Sequence, residues 1–309
     1  MTHDNSAPRA VLLVTHTGRT EAVEVATAVA KRLMDSDIAV RLLGGEAPDL
    51  PIAGATIVDA DDEASQGCEL ALVIGGDGTI LRAAELVRLT GTPLLGVNLG
   101  HVGFLAEAEG EDLDSTVDAI IGGRYFVEER MTLDVRVVYD GALIGSGWAL
   151  NEASVEKAAR QRMLEVVVEI DDRPLSRWGC DGVVFATPTG STAYAFSAGG
   201  PVVWPEVEAL LLVPISAHAL FARPMVASPD SILAVEVLPR TRAGGVLWCD
   251  GRRSAELPAG ARVEVRRGTR PVRLAHLHQA PFTDRLVAKF DLPVTGWRGG
   301  SDRRAWRGR

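Results

Sequence analysis

Residues 72–82 read LVIGGDGTILR. Gly75, Gly76 and Gly78, followed by Thr79, could cradle a phosphate, because glycine lets backbone N–H groups approach an anion. The helical pattern that begins at Ile80 adds an N-terminus, which also favours negative charge. Asp77 lies inside this turn and sets a carboxylate against the anion site. Two readings stand: a phosphate loop with a working carboxylate, or a tight βα turn in which Asp77 or Thr79 caps the helix. There is no GxxxxGK[ST] and no GxGxxG after a strand, so neither standard phosphate fingerprint applies.

Three further stretches carry candidate chemistry. GVNLGHVGFLAE, 96–107, has Asn98 among Gly96, Gly100 and Gly103. It is a second glycine-rich loop at a strand end, or a long loop packed by Val102, Phe104 and Leu105 with His101 on its surface. Asn151-Glu152 interrupts the strand-like GWALNEASVE, 147–156. A glutamate can accept both hydroxyls of a ribose diol, and an asparagine can donate and accept at once. The plainer alternative is a strand end or bulge with solvated polar groups. GCDGVVFATPTGSTAYAFSAGGP, 179–201, runs from a strand at Val183–Ala186 into small hydroxylated residues. It reads as a loop lining a polar ligand, or as a turn with a helix cap. Asp181 precedes that strand and could point into the same pocket.

Two kinds of architecture must position these loops. Strand patterns at Val11–Thr15, Ile38–Leu43, Ala71–Ile74 and Leu94–Asn98 alternate with helical ones at Thr20–Leu33, Ile80 to about Leu89, and Asp112–Ile121. That alternation predicts a Rossmann-like α/β domain with a parallel sheet, over residues 1–125. Beyond it the period becomes two. Met131, Leu133, Val135, Val137 and Tyr139 share a face, and Leu164–Ile170 repeats the pattern with Glu165 and Glu169 outward. DDRP at 171–174 reads as a turn, and short strands follow at Ile232–Leu238, Val246–Cys249 and Arg262–Val265. These predict an all-β, sandwich-like domain over 126–281. Phe282, Leu286 and Phe290 mark a helix in the tail, and SDRRAWRGR, 301–309, reads as a disordered end.

Composition narrows the function classes. The net charge of −9 over 309 residues argues against a general nucleic-acid binder. Cys68, Cys180 and Cys249 are widely spaced and form no CxxC pair, which excludes a disulfide framework or a zinc site. No apolar stretch approaches membrane-spanning length, and MTHDNSAPRA lacks a secretory layout. The expectation is a cytoplasmic protein with no membrane partner.

Taken in order, the motifs resemble those of the NAD kinases. The set is GGDGT (75–79), GVNLGHVGFL (96–105), Asn151-Glu152, DGVVFATPTGSTAY (181–194), PISAHALFARP (214–224) and CDG (249–251). It spans residues 10–298. GGDGT alone is shared with the related diacylglycerol kinases and phosphofructokinases, whereas the full ordered set is specific. The resemblance implies phosphoryl transfer from ATP or polyphosphate to the 2′-hydroxyl of the adenosine ribose of NAD, giving NADP. It implies a divalent ion, Mg²⁺, carried by the phosphoryl donor with no assigned protein ligands. It also implies a homo-oligomer, dimer or tetramer, and a tail, 282–300, that returns to the first domain.

Residue roles follow from the same resemblance. Asp77 corresponds to the general base, with Gly78 beside the dinucleotide and Gly75, Gly76, Gly78 and Thr79 as the phosphate loop. Phe104 lies near the adenine, Asn151 and Glu152 bind the adenosine portion, and Asp181 lies near the nicotinamide half. Thr192, Ala193, Tyr194, Ala195, Phe196 and Ser197 line the dinucleotide. Arg82 and Arg162 match ligand-contact positions. The chain departs from the pattern at Gly179, where relatives place a basic residue, and at Arg252, where they place an amide. A lipid kinase shares the glycine–Asp loop, but would lack Asn151-Glu152 and the TPTGSTAY loop in these forms and would need a membrane-docking segment. A non-catalytic NAD(P) sensor would gain nothing from a carboxylate at Asp77. A carboxylate in a phosphate loop suits a reaction whose nucleophile is a hydroxyl, because it can accept the proton and aim the oxygen at phosphorus.

Overall fold

Three apolar runs of the first third, Ala10–Thr15, Leu70–Ile74 and Leu94–Asn98, are strands buried along their whole length, and helices cover the sheet they form. The computed structural model describes residues 8–99, 103–106, 108–109, 113–159, 162–241, 244–278 and 280–294. The first sheet contains β1 (Ala10–Thr15), β2 (Ala39–Leu43), β3 (Thr56–Val58), β4 (Leu70–Ile74), β5 (Leu94–Asn98), β6 (Ala108–Glu109) and β7 (Phe126–Arg130). Helices α1 (Thr20–Met34), α2 (Asp77–Val87) and α3 (Leu113–Ile121) connect them. Ala22, Ala26, Val29, Ala30 and Leu33 form the buried face of α1, in line with the helical spacing.

The remaining strands are β8 (Leu133–Tyr139), β9 (Ala142–Ala149), β10 (Glu152–Lys157), β11 (Leu164–Ile170), β12 (Arg173–Cys180) and β13 (Gly182–Ala186). Then come β14 (Leu210–Ile215), β15 (Met225–Ala227), β16 (Leu233–Val237), β17 (Gly245–Cys249), β18 (Arg253–Leu257), β19 (Arg262–Arg267) and β20 (Val272–His276). Two short or late helices, α4 (Tyr194–Ser197) and α5 (Phe282–Phe290), complete the chain. Strands β15-β14-β13-β10-β17-β18 form one antiparallel sheet and β12-β11-β16-β19-β8-β9 a second. Their inward side chains, among them Val135, Val155, Val166, Trp178, Phe185 and Val263, form one core.

The first sheet corrects the domain border expected at 125/126. Its order is β3-β2-β1-β4-β5-β20-β7, with β6 on β5. Both ends of the 126–281 segment therefore lie in the first domain: β20 runs parallel to β5, and β7 pairs antiparallel with β20. The sandwich itself begins at β8 and ends at β19. Its two connections to the first domain are tied together, because Gly268 N–H donates to Thr132 O (2.7 Å) and Thr132 Oγ1 to Arg270 O (2.7 Å).

Local corrections have local causes. Helix α2 starts at Asp77, not Ile80, because Gly76 adopts the extended N-cap conformation. Tyr139 is exposed because it is the last residue of β8, at the Asp140–Gly141 turn beyond the covered part of the sheet. Arg173 and Pro174 already belong to β12, an edge strand where proline is tolerated. Gly100, His101 and Val102, and the tail 301–309, lie outside the described residues. No helix among the described residues is long and apolar enough to cross a membrane.

Candidate active site

The glycine turn 75–78 joins β4 to α2. Gly75 has φ +155°, and a Cβ there would lie 2.5 Å from Thr79 Oγ1, so the turn closes only around glycine. Gly76 is the N-cap of α2 and Gly78 is exposed, with open space where a side chain would stand. Asp77 is the first helical residue, and its carboxylate does not cap the helix. Instead Oδ2 accepts the Phe104 N–H and Oδ1 the Leu105 N–H, each at 3.3 Å. Gly103 completes this seat, because a Cβ there would come within 2.5 Å of Asp77 Oδ1. The two glycine loops expected at neighbouring strand ends thus meet at one carboxylate.

Beside the turn lies a cleft of about 500 Å³, lined by Thr15–Arg19, Gly76, Gly78, Thr79, Arg82 and Arg252. Arg82 is fixed from behind: it donates to Thr15 O (2.9 Å) and to the buried Glu46 carboxylate. Burial pushes Glu46 above the usual carboxylate range, against the pull of Arg82 and of the Thr15 N–H, which donates to Glu46 Oε2 at 2.9 Å. Arg252, where the chain departs from the family pattern, reaches this cleft from the sandwich and pairs with Glu85 of α2 at 3.1 Å. Three arginines and the glycine turn make the cleft suited to a polyanion.

Across from it, the sandwich presents β10. Ala153 and Val155 point into its core, so Glu152, Ser154 and Glu156 share the outer face. Leu150, just before, packs into the first domain's cluster with Ile80, Ala83, Ala84 and Leu105, which sets Asn151 and Glu152 against α2. Asp250 holds this segment in place. It accepts N–H bonds from Leu150 (2.9 Å), Asn151 (2.7 Å) and Glu152 (3.3 Å) and pairs with Arg253 (2.9 Å). Asp250 and Gly251 have φ +52° and +61°, the pair of positive values that an Asp-Gly hairpin turn requires.

Glu152 is almost completely buried, and its Oε2 has no hydrogen-bond partner. Its carboxyl is pushed up to about 8, first by burial, then by Asp250, and to a lesser degree by Glu156, while the Tyr194 N–H works the other way. Asp250 is also raised by burial, but three N–H groups and Arg253 oppose the rise. Of the two, Glu152 has the less support as an anion, with one oxygen unsatisfied.

The loop after β13 covers the outer face of β10. Gly190 abuts Asn151 so closely that a Cβ would stand 2.0 Å from its carbonyl oxygen. Thr192 ends a 3₁₀ turn, Ala193 leads into α4, and Ala195 buries against Val184 and Ala186. Tyr194 is 38 % exposed and lies near both Glu152 and Glu156. Phe196 stacks on Phe290 at 4.7 Å, and Ser197 closes α4. Asp181 pairs with Lys157 at the other end of the β10–β13 ladder, five residues or about 17 Å along the strand from Glu152. Arg162 is different: its side chain is exposed and its N–H donates to Ala159 O at 3.2 Å. Gly179 pairs with His218, and Met163 Sδ lies 3.4 Å from where its Cβ would be.

Sequence reasoning quoted CDG but missed the work of Asp250, although Asp-Gly between strands was a turn signal. It also missed Glu46 and Arg285, whose only signal is their distant partners. Phe104, expected near an adenine, lies among Phe282 (6.1 Å) and Phe290 (5.7 Å) of the tail.

An oriented carboxylate beside an anion-binding cleft is the equipment of a phosphotransferase that acts on a hydroxyl. Residues 11–125 match the family model of the ATP-NAD kinase N-terminal domain, and 150–277 that of the C-terminal domain. A curated NAD kinase 2 from Streptomyces coelicolor is 64 % identical over 94 % of this chain and 97 % of its own length. An NAD kinase from Thermobifida fusca is 61 % identical over 94 % of this chain and 92 % of its own. Among solved structures, yeast NADH kinase complexed with NADH superposes with a TM-score of 0.84 at 20 % identity, covering 96 % of this chain and 91 % of its own. An NAD kinase from Archaeoglobus fulgidus in complex with ATP gives 0.68 at 24 %, covering 92 % and 98 %. These two share the fold. The chain belongs to the NAD kinase family.

Proposed function

We propose that this family member transfers a phosphoryl group from ATP or inorganic polyphosphate to the 2′-hydroxyl of the adenosine ribose of NAD, with Asp77 as proton acceptor. One observation carries the reading: Asp77 heads α2 yet spends its carboxylate on the Phe104–Leu105 loop, at the rim of an arginine-lined cleft. The donor phosphates lie in that cleft, against Arg82, Arg252 and the N–H groups of Gly76 and Gly78. The acceptor lies along β10. Glu152 takes the ribose hydroxyls on its unsatisfied oxygen, Asn151 serves the adenosine portion, and Tyr194 gives a flat surface. The nicotinamide half extends toward Asp181.

A divalent cation, Mg²⁺ on this reading, would come with the donor phosphates and would offset their charge beside Asp77. The cleft lining holds no carboxylate, and among the described residues no three His, Cys, Asp or Glu side chains are grouped to hold a metal. Arg162 remains a proposed ligand contact on the resemblance alone. The compartment is the cytoplasm, in keeping with three free thiols. The assembly is a homo-oligomer, for which the exposed Leu220, Phe221 and Val226 offer apolar surface.

The test supplies purified protein with NAD, Mg²⁺ and either ATP or polyphosphate and couples product to an NADP-specific dehydrogenase. NADP formation that is lost in Asp77→Asn is expected. Binding of NAD without turnover under either donor would overturn the reading.

A further inference from the structure

The loop that seats Asp77 is itself held from its other side. Phe104 and Leu105 give their N–H groups to Asp77, while Arg285 of α5 donates from Nη1 to Phe104 O (3.1 Å) and Ala106 O (3.4 Å). Arg285 Nη2 lies 3.4 Å from His276 Nδ1 on β20. The Phe104 carbonyl and the Leu105 N–H belong to one peptide unit. A guanidinium at its oxygen polarises that unit and strengthens the N–H as a donor to Asp77 Oδ1. Helix α5 has no buried residue of its own, so its weight in the core is small. Its aromatic contacts, Phe282 and Phe290, converge on Phe104 and on the neighbouring Trp204 and Phe196.

We propose that Arg285 is a positioning residue for the phosphoryl transfer, acting on Asp77 through the Phe104–Leu105 peptide. The proposal rests on the assignment of Asp77 as proton acceptor. Arg285 touches no reacting atom in it. It sets the direction in which the Asp77 carboxylate faces the acceptor hydroxyl, and the tail helix thereby becomes part of the catalytic apparatus. Arg285 grips the carbonyl side of a loop whose N–H groups are seated on Asp77 and whose Leu105 lies in the buried cluster with Ile80. A carboxylate misplaced by a fraction of an ångström retains its substrate affinity but loses its alignment.

The experiment is a double-mutant cycle on the full chain. Arg285→Met should lower kcat by about 10- to 100-fold, with the KM for NAD within about twofold, the pattern of an interaction needed only in the transition state. In the Asp77→Asn background the same change should cost nothing further, because the group it orients is gone. Arg285→Lys, which keeps one charged donor, should recover part of kcat. An unchanged kcat in Arg285→Met, or an equal fractional loss in both backgrounds, would overturn the proposal. Near-normal turnover in Asp77→Asn alone would instead remove the assignment of Asp77 on which it rests.

Discussion

Asp77 and Glu152 face one another's domains from either side of the junction, and their surroundings differ in kind. Asp77 is half-buried at the head of a helix, and both of its oxygens accept backbone N–H groups. Glu152 is buried at the start of a strand, beside another carboxylate, with one oxygen unsatisfied. The first environment fixes a direction. The second leaves a vacancy in hydrogen bonding that costs stability in the free fold and is relieved when a donor arrives. A turn between two layers can aim a group at a reaction, while a sandwich face can hold one in reserve for a ligand.

The largest effect is expected where direction matters most. Asp77→Asn keeps size and polarity but removes the proton acceptor, so turnover should fall by about 10²–10⁴-fold. Calorimetry should find NAD affinity nearly unchanged. Near-normal turnover would return Asp77 to the purely structural role of seating the Phe104–Leu105 loop.

Next comes the support of the reserve group. Asp250→Ala strands three buried N–H donors and Arg253 together, and denaturant unfolding should show a loss of about 3–5 kcal/mol. A loss below about 1 kcal/mol would mean that β17 and β10 hold Asn151-Glu152 without it.

Glu152→Gln should weaken NAD binding by about 1–3 kcal/mol. It also has a signature in pH. The folded Glu152 keeps its proton to about pH 8, whereas an ordinary carboxyl loses it near 4.5. The fold therefore binds more protons than the unfolded chain across that window, so this contribution to stability is full at acid pH and declines as pH rises toward 8. Thermal melts of the free protein should show that decline, and Glu152→Gln should flatten it. NAD affinity should change in the other direction, rising with pH as the carboxylate forms to accept two hydroxyls. Parallel pH profiles for the wild type and Glu152→Gln would refute the assignment.

The smallest change is expected at Tyr194. Tyr194→Ala should raise the KM for NAD by the equivalent of about 0.5–1.5 kcal/mol and leave kcat almost untouched. A lower melting temperature with normal kinetics would make the ring a packing element.

The domains were legible in proportion to how local their causes were. Periodicity marked β1, β4 and β5 because each is buried on both faces, and α1 because its apolar stripe repeats along one side. The border at 125/126 left FVEER and VRLAH on the sandwich side, and only the pairing of β20 with β5 and with β7 reveals the sheet they join. The same divide runs through the site. Gly75–Thr79 and Asn151-Glu152 stand out as residue types in unusual places. Glu46 and Arg285 do not, because each acts on a partner 36 or 181 positions away. Asp250 lies between: its turn was readable, but its three N–H partners about a hundred residues earlier were not.

The tied connections between the domains have a mechanical consequence. A domain hung on one linker can tilt, swing and spin. Here the sandwich hangs on two, leaving from Arg130 and returning at Val272, which are paired neighbours in the first sheet. Gly268, Thr132 and Arg270 join the two strands of that hinge by hydrogen bonds. Two adjacent supports, fastened to each other, restrict the orientation of the sandwich more tightly than a single linker would. The Arg252–Glu85 and Arg88–Asp134 pairs add side-chain ties between the sandwich and the end of α2. The placement of acceptor face and carboxylate is thereby written into the covalent chain, not left to surface contact alone.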